Sequence, residues 1–127
     1  DYYTTTKGVL EKVKAHVGDV DFAVQPEILS LLSSGNLGRY ADEKGEMKVC
    51  FISNNDITGG NSGSAMFNSK GELLGLAFDG NWEAMGSDIL YEPKMQRTIG
   101  VDVRYILFMI EKYGKAGNLI QELNILN

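Results

Sequence analysis

A glycine-rich loop between two apolar, β-rich segments constrains the fold of this chain more than any other feature. Residues 47–53 are rich in β-branched and aromatic residues and predict a strand that runs into the loop at 58–64. Residues 64–67 and 72–78 predict two further strands, because the turn sequence Asn-Ser-Lys-Gly at 68–71 separates them. We therefore expect a strand, an exposed loop and then a β-hairpin in the middle of the chain.

The segments on either side of this centre predict a mainly β fold with helices at the C-terminus. The expected elements are a strand or hairpin arm at 2–13, a strand at 97–101, and helices at 26–32, 103–113 and 119–123. Loops are expected at 33–45 and 81–94, where glycines and mixed charges break the patterns. We predict one domain over residues 1–127, with a helical tail at 103–127.

The composition limits the classes of partner and function. A chain of 127 residues with 43% hydrophobic content is expected to form one globular core. No apolar run approaches the roughly 18 residues that a membrane span needs. The net charge of −5 and the lack of a basic stripe argue against nucleic acid or an anionic membrane surface as a partner. Because the chain starts at Asp1 without a signal segment, we expect a processed chain or a piece of a longer protein.

Cys50 is the single cysteine of the chain, and His16 is the single histidine. Neither an internal disulfide nor a Cys/His metal cluster can be built from them, so no metal and no other cofactor is predicted. Cys50 stands in an apolar strand and is expected to behave as a small buried hydrophobic residue. His16 lies in the sequence Lys-Ala-His-Val, which is more typical of a surface or strand residue than of a catalytic base.

The loop at 58–64 places Ser62 among glycines, which suits an exposed nucleophile. A serine hydroxyl attacks a carbonyl only when it is exposed and close to amide N–H groups that stabilise the oxyanion. Gly60 and Gly63 can adopt backbone angles closed to other residues and leave room for a substrate. The simpler alternative is an ordinary turn, since Gly/Asn/Ser clusters between apolar runs are commonly turns. Two other motifs are excluded, because Ser64 breaks the Gly-x-Ser-x-Gly hydrolase pattern and the Gly-Lys-Ser/Thr of a P-loop is missing.

Two stretches carry a resemblance to a known family: 51–64, with the motif Thr-Gly-Gly-Asn-Ser-Gly-Ser, and 71–85, with Phe-Asp-Gly-Asn-Trp-Glu. They resemble the C-terminal part of the bacterial serine dipeptidyl-peptidases, the family that contains dipeptidyl-peptidases 7 and 11. The similarity continues through 5–12 and 96–105 and therefore covers nearly the whole chain. It implies a chymotrypsin-like double β-barrel with an inserted helical domain, of which this chain would form part of the C-terminal, nucleophile-bearing barrel. It also implies an enzyme that releases dipeptides from the free N-termini of peptides, in the periplasm or cell envelope of a Gram-negative bacterium.

The resemblance assigns roles to four residues. Ser62 matches the family nucleophile, and the Gly60 N–H matches a donor of the oxyanion hole, with the Ser62 N–H as its expected partner. Asp79 matches the residue that binds the α-ammonium group of the substrate, although an Asp-Gly pair is also a common hairpin turn. Gly80 matches the position that shapes the first specificity pocket, where relatives selective for acidic residues have an arginine. Glycine removes that charge and leaves volume, so we expect hydrophobic or mixed residues before the scissile bond and a shift toward Asp/Glu in a Gly80→Arg variant.

The general base is expected to lie outside these residues. In the family, the histidine and aspartate of the triad come from the N-terminal barrel, so the chain by itself is expected to be inactive. The implied partners are peptide substrates and the N-terminal barrel and helical domain of the longer protein, which could form a homodimer. Two other classes of function stay open: an inactive peptidase-like module that binds peptides, and a structural β-domain with an incidental glycine loop.

Overall fold

The computed structural model describes residues 2–86, 92 and 94–126, which form one five-stranded sheet and several helices. In chain order the elements are β1 (Tyr3–Thr5), α1 (Thr6–Ala15), α2 (Pro26–Ser33), β2 (Lys48–Ser53), β3 (Ala65–Phe67), β4 (Leu73–Gly80), β5 (Thr98–Asp102), α3 (Val103–Phe108) and α4 (Gly117–Gln121). Short 3₁₀ helices span Val20–Phe22, Gly38–Tyr40 and Trp82–Gly86, and a π-helix, Met109–Tyr113, continues α3. Within these described ranges, no helix has the length and apolar character that crossing a bilayer requires.

The chain divides into two compact units. The sheet unit comprises the described residues of 1–4 and 49–103, and the helical unit comprises those of 5–48 and 104–127. The chain thus passes from one unit to the other after β1 begins, at the start of β2 and just after β5 ends. The single domain expected over residues 1–127 stays a prediction.

The sheet has the strand order β1-β2-β5-β4-β3, and its β2–β5, β5–β4 and β4–β3 pairings are antiparallel. Four strands expected from the sequence, at 47–53, 64–67, 72–78 and 97–101, correspond to β2, β3, β4 and β5, with bounds that differ by two residues at most. Thr98 of β5 pairs with Ser53 of β2 on one side and with Gly80 of β4 on the other. Only β5 therefore separates the end of β2, after which the chain runs into the glycine-rich loop, from the end of β4.

Two glycines in adjacent strands make room for an aromatic ring on the sheet. A Cβ atom at Gly100 would lie 2.7 Å from Cζ of Phe51 and 2.8 Å from Sδ of Met66. A Cβ atom at Gly75 would lie 2.9 Å from Cε1 of the same ring and 2.0 Å from the Val101 carbonyl oxygen. Since atoms this close must move apart, side chains at either position would disturb the packing of Phe51 and the β4–β5 pairing.

The strand or hairpin arm predicted at 2–13 is wrong beyond Thr5, because Thr6–Ala15 is the helix α1. The least exposed side chains of this segment are Thr6, Val9, Leu10 and Val13, which follow the i, i+3, i+4, i+7 spacing of one helix face. Thr6 also holds the start of the helix, since its N–H donates to the Met47 carbonyl (2.9 Å) and its hydroxyl accepts from the Met47 N–H (3.3 Å). The helical period outweighs the β propensity of the threonines and valines.

The helical unit has its own apolar core. Its buried side chains are Leu32, Leu37, Tyr40, Met47, Leu107, Phe108 and Ile120. The helix predicted at 26–32 is confirmed as α2, which begins at a proline in its first turn and packs against α1 and the π-helix. The helix predicted at 103–113 is confirmed as α3 and its π-helical continuation, and the last helix lies at 117–121 instead of 119–123.

The fold class is confirmed in its coarser form: an antiparallel sheet accompanied by helices. Besides the predicted C-terminal helices and α2, the chain contains α1, which the mainly β description did not include. The chymotrypsin-like double barrel stays a prediction.

Removal of the Tyr40 hydroxyl, which lies in the helical unit, is expected to change how the free energy of unfolding depends on pH above pH 10. Burial and the hydrogen bond to Glu111 raise the pKa of Tyr40 from 10.0 to about 12. The folded state therefore keeps this proton between pH 10 and 12, where the unfolded chain loses it, so stability present below pH 10 falls as the pH rises. In unfolding experiments, Tyr40→Phe should remove roughly 1–2 kcal/mol of this alkaline loss.

Tyr113 offers a matched control for that experiment, because its hydroxyl donates to the neutral Oε1 of Gln25 at 2.7 Å. Tyr113→Phe also removes a hydrogen-bonded tyrosine hydroxyl but leaves the Tyr40–Glu111 bond in place, so the alkaline loss assigned to Tyr40 should persist. An equal change in slope in both variants would contradict the assignment to Tyr40.

Candidate active site

The glycine-rich loop is closed by the side chain of Asn61. Its Oδ1 accepts a hydrogen bond from the Thr58 N–H at 2.8 Å, while its own N–H donates to the Thr58 carbonyl at 3.2 Å. The Asn61 carbonyl in turn accepts from the Ser64 N–H at 2.9 Å. These three bonds hold residues 58–64 in a compact turn without an ion pair. Sequence reasoning did not foresee this role.

The end of the loop is attached to strand β4. The Gly63 N–H donates to the Ala77 carbonyl at 2.7 Å, and the Ala77 N–H donates to the Ser64 carbonyl at 2.8 Å. Gly60 and Gly63 have φ angles of +96° and +87°, which side-chain-bearing residues rarely adopt. The backbone angles expected at these two glycines are therefore observed, and the loop is anchored to the sheet directly after Ser62.

Ser62 is exposed at the tip of this loop. Its Oγ lies 3.5 Å from the Phe78 carbonyl oxygen, the outer limit of a hydrogen bond, so the hydroxyl is only weakly held. Within the described part of the chain, neither the Gly60 N–H nor the Ser62 N–H donates a hydrogen bond. Two amide donors flanking Asn61 are thus available to an external oxygen, as an oxyanion hole requires.

Asp79 and Gly80 lie at the end of β4, next to Phe78. They do not form a hairpin turn, because both pair with β5, Asp79 with Ile99 and Gly80 with Thr98. The pairing slips between Ala77 and Asp79, a β-bulge of the kind that redirects a side chain. Asp79 is exposed, and one carboxylate oxygen accepts the Gly80 N–H at 2.8 Å. The other oxygen accepts no hydrogen bond from the described residues.

Gly80 does not leave open volume in the direction of its missing side chain, contrary to expectation. A Cβ atom there would lie 2.9 Å from Cβ of Ala84 and 3.9 Å from the Arg97 carbonyl oxygen. Ala84 belongs to the 3₁₀ helix that follows β4, so the contact arises from residues four apart in the chain. Any side chain at position 80 requires this helix to move.

A small crevice lies beside these residues in the sheet unit. It is lined by residues 55–57, Ala84 and residues 96–98, and it is too narrow to admit a water molecule. Thr98 is buried, and its hydroxyl donates to the Asn55 carbonyl at 2.6 Å, which fixes the first of these segments to β5. Sequence reasoning missed the crevice, because its walls come from three segments that only strand pairing assembles. In the sequence, the only indication of this crevice was the position of residues 55–57 just before the glycine-rich loop.

Two further groups were considered from the sequence. Burial raises the pKa of the Cys50 thiol, so the half-buried cysteine is a neutral thiol near pH 7 and a poor nucleophile. His16 follows α1 in the helical unit, where its Nδ1 lies 2.9 Å from the Lys12 carbonyl and its ring stacks on Phe22 with centroids 3.9 Å apart. Cys50 therefore lies in the expected strand but is half-buried and not buried, and His16 is a partly exposed residue at the end of α1.

Comparisons with known proteins match nearly the whole chain. The family model for Peptidase S46 matches residues 1–125. The chain is 59% identical over 125 residues to dipeptidyl-peptidase 7 of Porphyromonas endodontalis, and 45% identical over 124 residues to the Asp/Glu-specific dipeptidyl-peptidase of Capnocytophaga gingivalis, each match covering 98% of the chain. The solved structure of Porphyromonas endodontalis DPP11 in complex with the dipeptide Arg-Glu is similar over 95% of the chain, with a TM-score of 0.86 and 43% identity.

These relatives are much longer than the present chain. The chain spans 15% of the Porphyromonas endodontalis dipeptidyl-peptidase 7, 17% of the Capnocytophaga gingivalis protein and 17% of the DPP11 chain. The residues described above therefore correspond to about one sixth of each relative.

Proposed function

Because the chain belongs to the peptidase S46 family, we propose that it is the nucleophile-bearing part of a serine dipeptidyl-peptidase that removes dipeptides from the free N-termini of peptides. The observation that carries the proposal is the state of Ser62: its hydroxyl is exposed and weakly held, beside two amide N–H groups that have no acceptor among the described residues. An ordinary turn does not require an exposed serine hydroxyl beside two amide N–H groups that lack an acceptor.

Ser62 would attack the carbonyl carbon of the second peptide bond from the substrate N-terminus. Its Oγ has only the 3.5 Å contact with the Phe78 carbonyl to give up. The negative charge on the carbonyl oxygen would then be stabilised by the N–H groups of Gly60 and Ser62, whose positions the Asn61 bonds and the Gly63–Ala77 bond hold. Such preorganised donors cost no rearrangement during the reaction.

The proton of the Ser62 hydroxyl needs a base, which we place in the remainder of the longer protein. The single histidine of the chain, His16, is engaged at the end of α1 by its contacts with Lys12 and Phe22. On this view the chain by itself is inactive, and its partners are the N-terminal barrel and helical domain implied by the family resemblance.

Asp79 would bind the α-ammonium group of the substrate. The Gly80 N–H occupies one carboxylate oxygen and orients the group, while the second oxygen is available for a charge-assisted hydrogen bond. Because Asp79 follows Phe78, whose carbonyl contacts the Ser62 hydroxyl, the amine would be held close to the nucleophile. A fixed distance between them would select cleavage after the second residue.

The residue before the scissile bond is proposed to be hydrophobic or of mixed type. Gly80 carries no positive charge, unlike the arginine that relatives selective for acidic residues have at the matching position, and a side chain at position 80 would require Ala84 to move. The higher identity to a dipeptidyl-peptidase 7 (59%) than to an Asp/Glu-specific relative (45%) argues against a strict preference for Asp or Glu at this position. From the family resemblance alone, we place the protein in the periplasm or cell envelope.

A fluorophosphonate probe tests the proposal, since such probes react readily only with activated serines. The full-length protein should take up one label, and Ser62→Ala should abolish the labelling. Retained labelling in Ser62→Ala would assign the nucleophile elsewhere. A folded full-length protein that binds peptides but takes up no label would be an inactive peptide-binding module.

A further inference from the structure

The outer edge of β4 has a partner along only part of its length. Strand β3 and the end of the glycine-rich loop cover this edge as far as Ala77, whose N–H donates to the Ser64 carbonyl at 2.8 Å and whose carbonyl accepts the Gly63 N–H at 2.7 Å. Beyond Ala77, the described residues add no strand on this side of β4. An uncovered strand edge is a template for pairing with another extended chain. Residues 78–80 thus form an open edge beside the loop that carries Ser62.

The β-bulge in β4 turns one carbonyl group toward this open edge. The pairing with β5 slips between Ala77 and Asp79, so Phe78 has no opposite residue in β5. The Phe78 carbonyl oxygen lies 3.5 Å from the Ser62 Oγ, which places this oxygen on the loop side of the strand. The open edge therefore offers one hydrogen-bond acceptor directly beside the proposed nucleophile.

Asn81 shows which way the backbone of the next residues points. Its N–H donates to the Arg97 carbonyl at 2.9 Å, its Oδ1 accepts the Arg97 N–H at 2.8 Å, and its Nδ2 donates to the Met95 carbonyl at 2.8 Å. These bonds direct the Asn81 N–H to the β5 side. Because the N–H groups of successive residues in a strand point to opposite sides, the preceding N–H, that of Gly80, points to the loop side.

The Gly80 N–H would be the donor of this open edge, but it is already occupied. One carboxylate oxygen of Asp79 accepts it at 2.8 Å. Within the described part of the chain, the other oxygen of this carboxylate accepts no hydrogen bond. The edge thus presents a free acceptor at Phe78 and, two residues further on, a donor that the protein itself has capped.

A substrate backbone that pairs antiparallel with this edge meets these groups in a fixed order. The residue opposite Asp79 is followed by one whose N–H reaches the Phe78 carbonyl, and is preceded by one whose carbonyl reaches the Gly80 N–H. With the first substrate residue opposite Asp79, the second donates its N–H to Phe78, and its carbonyl carbon, two bonds from that nitrogen, comes within reach of the Ser62 Oγ. The carbonyl of a preceding residue would need the capped N–H.

We propose that the Asp79 carboxylate closes the open edge of β4 by occupying the Gly80 N–H, and thereby excludes peptides that extend beyond two residues on the N-terminal side of the scissile bond. The proposal rests on the dipeptidyl-peptidase function proposed above and adds a second task to binding of the ammonium group. The two tasks use different carboxylate oxygens. A preceding residue would have to displace a charge-assisted hydrogen bond and bring its carbonyl oxygen next to the negative charge.

The experiment compares Asp79→Ala, Asp79→Asn and Asp79→Leu in the full-length protein. All three remove the charge, but asparagine keeps an oxygen for the Gly80 N–H, whereas alanine and leucine leave that N–H free. Leucine branches at the same carbon as asparagine, so it separates loss of the acceptor from loss of volume. The substrates are a dipeptidyl reporter with a free N-terminus and its N-acetylated form, whose acetyl carbonyl replaces that of a preceding residue. The readouts are kcat, KM and the rate of fluorophosphonate labelling.

Asp79→Ala and Asp79→Leu should each cleave the acetylated reporter with a kcat/KM about fivefold above that of Asp79→Asn, because the freed Gly80 N–H gains a hydrogen bond to the acetyl carbonyl. Labelling of Ser62 should stay within about twofold of the wild-type rate in all three variants. Equal cleavage of the acetylated reporter by all three variants would overturn the proposal. A gain in Asp79→Ala that Asp79→Leu does not share would also overturn it, since the effect would then come from the space left by the side chain.

A second measurement uses the wild-type protein and needs no variant. A reporter with an ester in place of the amide between its first two residues keeps the free amine but lacks the N–H expected to meet the Phe78 carbonyl. Its kcat/KM should fall about tenfold, because the hydrogen bond is lost and two oxygens face each other. An unchanged value would overturn the alignment on β4 and the proposal with it. Failure of the proposed function has a different signature: the wild-type protein would cleave no reporter and take up no label.

Discussion

Replacing Ser62 by alanine in the full-length protein is expected to lower kcat by about 10⁴- to 10⁶-fold toward reporters with a free N-terminus. In the proposed mechanism the covalent bond to the substrate forms through the Ser62 Oγ, which alanine lacks. KM should change little, because the amide donors at Gly60 and Ser62 and the carboxylate of Asp79 remain. Steady-state kinetics of both proteins at matched concentration measure the effect.

Ser64 provides the control for this experiment. It is exposed two residues further along the loop, where its N–H and carbonyl are hydrogen-bonded to Asn61 and Ala77 and its hydroxyl has no partner among the described residues. Ser64→Ala should therefore keep kcat within about twofold of the wild-type value, as expected for a surface substitution. Equal losses in both variants would show that the loop is merely sensitive to alanine, and a Ser62→Ala enzyme with near-normal kcat would refute the assignment of the nucleophile.

Asp79→Asn is expected to lower kcat/KM about 10²- to 10³-fold for substrates with a free amine, because a charge-assisted bond to the ammonium group is lost. The substitution keeps the oxygen that accepts the Gly80 N–H, so the backbone conformation at the end of β4 should persist. Fluorophosphonate labelling of Ser62 should likewise persist, since the probe carries no amine. The effect therefore concerns substrate binding and not activation of the serine.

N-acetylated versions of the same reporters supply the control. If Asp79 binds the ammonium group, the wild-type enzyme should discriminate strongly against the acetylated reporter, and Asp79→Asn should cleave both forms about equally slowly. An Asp79→Asn enzyme that still discriminates against acetylation would assign amine recognition to another residue.

Much of the fold could be predicted because it follows from neighbours along the chain. The strands β2 to β5, the turn at 68–71 and helix α2 arise from apolar periodicity, turn residues and a proline at a helix start, all of which are local signals. Helix α1 was missed because threonines and valines suggested a strand, although Thr6, Val9, Leu10 and Val13 carry the helical spacing. The error came from weighing propensity above periodicity.

The candidate site, like the fold, was predicted from the sequence only in part. The residue types in the loop at 58–64 predicted an exposed serine among glycines, and the family resemblance to the dipeptidyl-peptidases is confirmed. The closure of the loop by Asn61, the contact between Gly80 and Ala84 and the bonds of Asn81 were not predicted. The first two join residues three or four apart, so they depend on side-chain geometry that residue patterns do not specify, whereas the bonds from Asn81 to Met95 and Arg97 join segments that meet only when β4 and β5 pair.

The amino-acid order alone determined where the glycines, the serine and the carboxylate stand, and hence which chemistry is available, because residue type and local conformation are set within a few positions. The tertiary structure decided which N–H groups of the loop lack an acceptor and which side of Gly80 is filled. It also decided how near the end of β2 lies to the end of β4, because Thr98 lies between Ser53 and Gly80, a register that the antiparallel sheet imposes on segments up to 45 residues apart in the chain (98 − 53). No local pattern in the sequence encodes that distance.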